Sequence, residues 1–324
     1  MFSYAIRSEG HQTVVELCER EQPVPGPRQL LVEIHASGLN RGEFILGHGL
    51  HGASGQAKPV GIEAAGVVLQ AGADVTRFKP GDRIMGRCPG AFSQFTVMDE
   101  MEAMVVPNGL SFQEAACVPL TYLTAYDSVI LGGQLQPQEW LLVNGITSGV
   151  GVASLQLAKW LGAKVIGTSG SADKLSKLQG NLDLPICTRL PNYQQAVMEA
   201  TDGKGVDLVI NTVGGSVFSH SMSCLGFQGR FAVVGYVDGV LEAKVDLEHL
   251  HAKRIKVFGV SNKLRTMAQR AAAIPGFSAQ VLPAFGTGQL KPLLDRVFAF
   301  NDLPQAKAYM EANQHVGKIV LAVK

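Results

Sequence analysis

The sequence predicts an α/β protein in which a β-rich segment is followed by a doubly wound parallel sheet. From residue 140 onward, short apolar runs alternate with helical segments, which is typical of a parallel sheet covered on both faces. Before about residue 110, strand-like runs are separated by Pro and Gly, as in the Lys-Pro-Gly-Asp turn at residues 79–82. Such punctuation indicates a compact antiparallel or barrel-like module.

The β-rich segment contains five strand candidates, at residues 30–36, 64–69, 83–86, 91–97 and 104–106. A helical region follows. Ser111 and Glu114 have the spacing of a capping box, which opens a short helix that Pro119 ends or kinks. A second helix is predicted over residues 121–131, before Gly132 and Gly133.

The alternating segment supplies the predicted parallel sheet. Its strands are expected at residues 140–143, 164–168, 207–212, 230–235 and 255–260. Two helices are expected between them, at residues 150–161 and 172–178, and a later helix and final strand at residues 303–312 and 318–323.

Composition and charge exclude several classes of protein. The chain has 324 residues, and its 28 Lys and Arg against 27 Asp and Glu give a net charge of +1, without the basic excess typical of nucleic-acid binding. No run of eighteen apolar residues suggests a membrane span, and the first residues do not resemble a signal peptide. The 46% of hydrophobic residues exclude disorder. We therefore expect no nucleic-acid or membrane partner.

The cysteines indicate the compartment. Five scattered cysteines without a CxxC pair fit a reducing compartment, so we expect a cytoplasmic protein.

A glycine-rich turn at residues 144–151, Asn-Gly-Ile-Thr-Ser-Gly-Val-Gly, joins the first strand of the alternating segment to a helix. Such a turn directs backbone N–H groups and the helix dipole at a pyrophosphate. The match to GxGxxG is imperfect, because the pattern's positions hold Ile146, Ser148 and Gly151, and an ordinary strand–helix turn is the alternative. The sequence predicts a dinucleotide site with contacts from Ser148, Gly149 and Val150.

The end of the next strand carries information about the cofactor. NAD-binding units place an Asp or Glu there for the ribose 2′-OH, whereas this chain has Ser169 and Gly170. Ser171, Lys174 and Arg189 supply hydroxyl and cationic donors, which suit a 2′-phosphate. We therefore expect NADPH, held chiefly by Lys174. The alternative is a Ser/Gly helix start with a solvated lysine.

Several motifs together resemble one superfamily. They are Gly-Leu-Asn at residues 38–40, Gly-Ile-Glu-Ala-Ala-Gly at 61–66, Val-Thr-Arg-Phe-Lys-Pro-Gly-Asp at 75–82, Leu-Thr-Tyr-Leu-Thr-Ala-Tyr at 120–126, the Ser-Gly-Val-Gly loop ending at 151, Gly-Thr-Ser-Gly at 167–170 and His-Val-Gly-Lys-Ile-Val-Leu at 315–321. The chain resembles the medium-chain dehydrogenase/reductase superfamily and, within it, the zinc-free quinone oxidoreductases related to ζ-crystallin.

The resemblance implies a GroES-like catalytic domain of residues 1–123 and 263–324 and a Rossmann NADP-binding domain of residues 124–262, with the active site in the cleft between them. It also implies a homodimer joined through the last Rossmann strand, near residues 256–260.

The resemblance further implies that no metal is bound. Zinc-dependent relatives have ligands at the positions of Asn40, Ile62 and Leu120, and none of these side chains replaces a thiolate or imidazole. The cysteine-rich structural zinc lobe is also missing. A site built from His48, His51 and Cys88 is disfavoured, because histidines in a glycine-rich loop rarely form a closed site without more ligands.

The catalytic candidates also come from the resemblance. Asn40 matches an asparagine that lines the substrate side and could donate to an acceptor carbonyl; a turn asparagine is the alternative. Thr124 matches a threonine beside the nicotinamide, or is a helix threonine bonded to its own backbone. Glu43 stands where the family commonly has Asp. His51 stands where it has Tyr, and could supply a proton or be a simple loop residue. The remaining expected cofactor contacts, besides Asn40 and Thr124, are Asn211, Val213, Gly235, Tyr236 and Ser261.

These observations predict an NADPH-dependent, zinc-independent reductase of quinones or α,β-unsaturated carbonyl compounds. Two alternatives stay open. One is an enoyl-thioester reductase, which needs a longer channel with a basic rim. The other is a non-catalytic, crystallin-like NADPH-binding protein.

Overall fold

The computed structural model describes residues 1–10, 12–45 and 57–324. The described chain divides into two compact units. The first consists of Met1–Leu120 and Lys263–Lys324, and the second of Thr121–Asn262. The sequence-based boundary at residue 123 lies three residues after the first of these divisions.

The first unit contains two sheets. A three-stranded antiparallel sheet has the order β2-β1-β4, with the strands β1 (Phe2–Glu9), β2 (Gln12–Glu19) and β4 (Lys58–Pro59). The path of the seven-stranded sheet is β15-β16-β3-β5-β6-β8, and β7 pairs with β3. Its strands are β3 (Gln29–Gly38), β5 (Glu63–Ala71), β6 (Arg83–Arg87), β7 (Phe95–Asp99), β8 (Ala103–Val105), β15 (Leu294–Ala299) and β16 (Lys318–Ala322).

Short helices complete the first unit. Helix α1 (Phe112–Ala115) begins at the predicted capping box, in which the Ser111 hydroxyl accepts from Glu114 N and the Glu114 carboxylate accepts from Ser111 N. The others are α8 (Met267–Ala271), α9 (Ile274–Gln280), α10 (Leu282–Gly286) and α11 (Leu303–Glu311). One apolar core joins both ends of the chain, since Leu39 and Phe92 pack with Leu303, Ile319 and Leu321.

The second unit is a six-stranded parallel sheet of order β11-β10-β9-β12-β13-β14. Its strands are β9 (Trp140–Asn144), β10 (Lys164–Ser169), β11 (Leu184–Cys187), β12 (Val206–Asn211), β13 (Leu225–Val233) and β14 (Lys256–Gly259). Numbered within the unit the order is 3-2-1-4-5-6, that of a Rossmann sheet, whose direction reverses between β9 and β12. The predicted doubly wound fold is confirmed.

Helices connect these strands. They are α2 (Thr121–Ala125), which continues as a π-helix over Tyr126–Leu131, α3 (Gly149–Trp160), α4 (Ala172–Ser176), α5 (Gln194–Ala200), α6 (Gly215–Ser223) and α7 (Leu247–Ala252). The sequence predicted α2, α3 and α4 but not α5, α6, α7 or strand β11. Over the described part of the chain, none of the helices is both long and apolar enough to cross a membrane.

Candidate active site

The glycine-rich turn has the geometry of a phosphate loop. Strand β9 ends at Asn144, Gly145 has a φ of +75°, and Ser148 caps helix α3 by accepting from Gly151 N at 3.1 Å. A Cβ atom on Gly151 would lie 2.5 Å from Gly145 O and 2.7 Å from Ile146 O, so only glycine lets the helix approach the loop this closely. The amides of Gly149 and Val150 come first in the helix and have no intrahelical acceptor. They can therefore donate to an anion.

A buried polar network underlies this loop. The Asn144 side chain is fully buried. Its Nδ2 donates to Ser221 Oγ at 2.6 Å, and its Oδ1 accepts from Thr168 Oγ1 at 3.2 Å and Tyr193 OH at 3.1 Å. Thr212 Oγ1 donates to Asn144 O at 2.8 Å. Sequence reasoning missed this network; its one local signal is a polar residue that ends an apolar strand.

The predicted 2′-phosphate residues lie together at the end of β10. Ser169 Oγ accepts from Ser171 N at 3.3 Å, and Ser171 caps α4 by accepting from Lys174 N at 3.4 Å. Both hydroxyl hydrogens remain available to donate, since these bonds use only the oxygens. Arg189 lies against Gly170, where a Cβ atom would be 2.7 Å from Arg189 Cγ and 3.1 Å from Nε. Ser169, Ser171 and Arg189 thus bring hydroxyl and cationic groups to the end of β10, and Ser171 also caps a helix, as the alternative interpretation expected.

The ends of β12 and β13 place the other predicted contacts. Asn211 is fully buried, its Nδ2 donates to Gly214 O at 2.9 Å, and its Oδ1 accepts from Val213 N at 2.9 Å. Its side chain therefore shapes the turn that presents Val213. Gly235 N donates to Asn211 O at 3.2 Å, while Tyr236 and Ser261 are exposed. Contact with a cofactor stays a prediction for these residues.

Asn40 lies in a buried charged cluster of the first unit. Its Nδ2 donates to Glu43 Oε1 and Glu63 Oε1, both at 2.8 Å, and its Oδ1 accepts from Lys318 Nζ at 2.8 Å. Both amide hydrogens are thus bonded to carboxyl oxygens. In this arrangement Asn40 can offer a ligand an acceptor but no free donor, so the proposed donation to an acceptor carbonyl would require one of these bonds to break.

Lys318 and Glu63 complete the cluster. Lys318 Nζ donates to Leu39 O at 2.8 Å and Glu63 Oε1 at 2.7 Å in addition to Asn40, which uses its three hydrogens. Glu63 Oε2 accepts from Leu120 N at 2.7 Å. Glu63 and Lys318 lie in two of the motifs that indicated the superfamily, at residues 61–66 and 315–321, but the sequence alone assigned them no role. Each is a charged residue within an apolar strand, and this pattern indicates a buried charge that needs a partner.

Glu43 is 1% exposed. Its Oε2 has no hydrogen-bond partner among the described residues. Burial raises the pKa of Glu43 to about 8, against the opposing effects of the Asn40 hydrogen bond and the Lys318 charge. A pKa of about 8 favours the neutral form of Glu43 at pH 7.

Thr124 lies in α2, one residue before the end of that helix, and its carbonyl accepts from Ser128 Oγ at 2.9 Å. His51 and the alternative ligand His48 lie outside the described residues. Cys88 is buried, and desolvation raises the pKa of its thiol. In the described ranges, no three His, Cys, Asp or Glu side chains are grouped so that they could hold a metal ion.

Comparison with known proteins identifies the family. Residues 26–127 match the alcohol dehydrogenase GroES-like domain, and residues 149–274 match the zinc-binding dehydrogenase family. The chain belongs to the medium-chain dehydrogenase/reductase superfamily of oxidoreductases, as its motifs predicted.

The curated relatives include polyketide synthases. Highly reducing polyketide synthase ZEA2 of Gibberella zeae is 31% identical over 296 residues, which cover 90% of this chain and 12% of that protein. Phenolphthiocerol synthesis polyketide synthase type I Pks15/1 of Mycobacterium bovis is 30% identical over 312 residues, with coverages of 96% and 14%. The chain therefore spans 12 to 14% of the length of these relatives.

Solved structures cover the whole fold. The Escherichia coli quinone oxidoreductase complexed with NADPH has a TM-score of 0.88 at 26% identity and full coverage of both chains. The CurK enoyl reductase has a TM-score of 0.85 at 26% identity and covers 99% of this chain and 100% of its own.

Proposed function

We propose that the protein reduces quinones or α,β-unsaturated carbonyl compounds with NADPH and without zinc. The main support for the proposal is the geometry of the second unit, in which the glycine-rich loop after β9 lies next to the end of β10, where residues 169–171 are Ser-Gly-Ser and Arg189 packs against Gly170. Gly149 and Val150 would bind the pyrophosphate, and Ser169, Ser171, Lys174 and Arg189 would bind the 2′-phosphate. When bound, the reduced nicotinamide supplies the hydride.

The first unit supports metal-free chemistry. At the position of a zinc ligand in relatives, Asn40 is bonded to Glu43, Glu63 and Lys318, and the ammonium of Lys318 already neutralises the carboxylate of Glu63. Quinones and activated alkenes need hydrogen-bond donors or solvent protons rather than a Lewis acid, whereas an alkoxide would have nothing to stabilise it. Elemental analysis of purified protein should find no stoichiometric zinc, and activity should persist in chelator.

An enoyl-thioester substrate is the second candidate. It is favoured by the similarity to polyketide synthases and to the CurK enoyl reductase. Such a thioester is itself an α,β-unsaturated carbonyl compound, so the two candidates differ in the length and polarity of the group that the site must accept.

A screen of NADPH oxidation tests these proposals. Quinones, simple enones and enoyl thioesters should be compared by kcat/KM under identical conditions. Turnover of quinones or enones supports the first candidate, and a kcat/KM at least tenfold higher for thioesters supports the second. Tight NADPH binding without oxidation by any acceptor would favour the non-catalytic class and overturn both.

The variant Asn40→Ala tests whether the quinone or enone binds next to Asn40. If Asn40 lines the acceptor site, the variant lowers kcat with little change in the NADPH dissociation constant. Equal losses in both quantities would instead indicate a general structural role for the cluster that contains Lys318.

We also propose that two copies pair along β14. It is an edge strand of the parallel sheet, and Val257 on it is 43% exposed. The backbone N–H and C=O groups along an edge strand are a template for pairing with a strand of another chain. A monomeric mass in sedimentation equilibrium would contradict this assignment.

A further inference from the structure

The network around Asn144 has no assigned role, although it lies directly beneath the phosphate loop. Asn144 is the last residue of β9, and the loop begins at the next residue, Gly145. Three elements beyond its own strand hold the Asn144 side chain: Thr168 on β10, Tyr193 just before α5, and Ser221 on α6.

The hydrogens of the network permit one arrangement of the amide. Ser221 Oγ donates its single hydrogen to Val217 O at 2.7 Å, so it acts as an acceptor toward Asn144 and Tyr193. Asn144 must therefore face Ser221 with Nδ2, its donor. The phenolic hydrogen of Tyr193 lies between two acceptors, Ser221 Oγ at 2.7 Å and Asn144 Oδ1 at 3.1 Å.

The network is buried in the second unit. Asn144 and Ser221 are fully buried, and Tyr193 is 2% exposed. Each polar atom left unpaired in such a place costs the desolvation free energy that burial imposes. The orientation of Asn144 is therefore strongly determined, and with it the direction in which the chain enters the loop.

Asn144 and Thr168 are also hydrogen-bonded through their backbone carbonyls. Thr212 Oγ1 donates to Asn144 O at 2.8 Å, and Ile146 N in the loop donates to Thr168 O at 3.0 Å. Thr168 thus bonds to the Asn144 side chain through its hydroxyl and to the loop through its carbonyl. A binding loop needs its donors held to within about 0.5 Å, and this link transmits the position of the network to the loop amides.

We propose that Tyr193 and Ser221, acting through Asn144, are positioning residues for the pyrophosphate of the dinucleotide. The proposal rests on the proposed function, because it assumes that the loop binds NADPH. It assigns a role in cofactor binding to two residues that are distant from the loop in sequence and do not belong to the glycine motif.

The test compares ligands that contain the pyrophosphate with one that contains only the 2′-phosphate. Tyr193→Phe removes one hydroxyl and keeps the ring, and Tyr309→Phe is the matched control, since its hydroxyl donates to Asp295 Oδ2 at 2.8 Å in the first unit. Dissociation constants should be measured by calorimetry for NADPH, NADH, ADP and adenosine 2′-monophosphate, together with kcat at saturating NADPH and the thermal midpoint.

We expect Tyr193→Phe to weaken NADPH, NADH and ADP by a common factor of about five to twenty, the range that a lost buried hydrogen bond allows. Adenosine 2′-monophosphate, which lacks the pyrophosphate, should bind as before, and kcat at saturation should be unchanged. Tyr309→Phe should alter none of the dissociation constants. Ser221→Ala should act in the same direction, and the double variant should be less than additive because both residues act through Asn144.

Three results would overturn the proposal. Unchanged affinities in Tyr193→Phe would show that the network is not coupled to the loop. Equal weakening of adenosine 2′-monophosphate would show that the substitution disturbs the whole unit. Wild-type protein that binds neither NADPH nor ADP would refute the proposed function, and this inference with it.

Discussion

Lys318 Nζ lies 2.7 Å from Glu63 Oε1 in the interior of the first unit, with side-chain exposures of 5% and 0%. Lys318 comes from β16 and Glu63 from β5, and these strands lie on either side of β3. Asn40 follows β3, and its side chain donates to Glu63 Oε1 and accepts from Lys318 Nζ. A buried ion pair between the two strands that flank β3 thus holds Asn40, which follows β3.

Lys318→Met should destabilise the protein strongly. The substitution keeps an unbranched chain of similar length but leaves Glu63 buried without its cation, and breaking a buried pair costs about 3–5 kcal/mol. Urea unfolding at pH 7 measures the loss. The double variant Lys318→Met/Glu63→Gln should recover part of it, since no charge is then left unpaired.

The control for this prediction is Lys324→Met. Lys324 pairs with Glu33 at 2.8 Å, but the lysine side chain is 60% exposed, and exposed pairs contribute about 0–1 kcal/mol. Similar losses in the two single variants would show that burial does not decide the contribution of Lys318.

Glu43 should make stability depend on pH. Its pKa of about 8 in the folded protein lies above the ordinary 4.5, so between these values the folded state binds a proton that the unfolded state has released. This contribution is fully present below about pH 4.5 and is lost as pH rises toward 8, by up to about 1.4 kcal/mol per pH unit.

Glu43→Gln removes this titration and keeps the acceptor for Asn40. The wild type should therefore lose stability relative to the variant as pH rises from 5 to 8, and the difference should level off above pH 8. Urea unfolding of both proteins at four pH values measures it. Parallel stability curves would contradict a neutral Glu43.

Gly151→Ala should weaken NADPH and NADH equally. Alanine favours helix formation, but its Cβ would meet Gly145 O at 2.5 Å and Ile146 O at 2.7 Å, both backbone atoms of the loop. The loop must move, and its amides move with it. Gly180→Ala is the control, because nothing lies within 4 Å of the added atom. A selective effect on NADPH would place Gly151 near the 2′-phosphate rather than the pyrophosphate.

Local patterns predicted the parts of the fold that local chemistry determines. The capping box at Ser111 and the strand–loop–helix that contains Gly151 are each formed by one continuous short segment of the chain, and both are present. Strand β11 was missed because it is a short edge strand that contains Pro185 and has alternating exposure. Strand β15 was missed because it is partly exposed and carries Asp295 and Arg296.

The clusters could not be predicted in the same way. Glu63 and Lys318 are 255 residues apart, and Asn144 and Ser221 are 77 residues apart. The sheet order brings Glu63 and Lys318 together, and the packing of α6 against the parallel sheet brings Ser221 to Asn144. A charged or polar residue within an apolar strand indicates that a partner exists, but not which residue it is.

The preference for NADPH over NADH should depend on both Lys174 and Arg189. No carboxylate stands at the end of β10 to bind a ribose 2′-OH, and Ser169, Gly170 and Ser171 occupy that place. A hydrogen bond that involves a charged group contributes about 1.5–3 kcal/mol, and every 1.4 kcal/mol is tenfold in affinity. Lys174→Ala should therefore weaken NADPH by about ten- to a hundredfold, and by less where Arg189 compensates.

The contact between Arg189 and Gly170 sharpens this prediction. Since Arg189 already lies against the backbone at the end of β10, Arg189→Ala should also weaken NADPH, and the double variant should lose most of the discrimination between the two cofactors. NADH lacks the 2′-phosphate and should bind each variant about as well as the wild type.

Added salt should weaken the binding of NADPH more than that of NADH, because Arg189 is exposed and its charge is screened. Dissociation constants of both cofactors for the wild type and three variants, at two salt concentrations, test the assignment. Equal losses for NADH and NADPH in Lys174→Ala would mean that the lysine supports α4 rather than the phosphate.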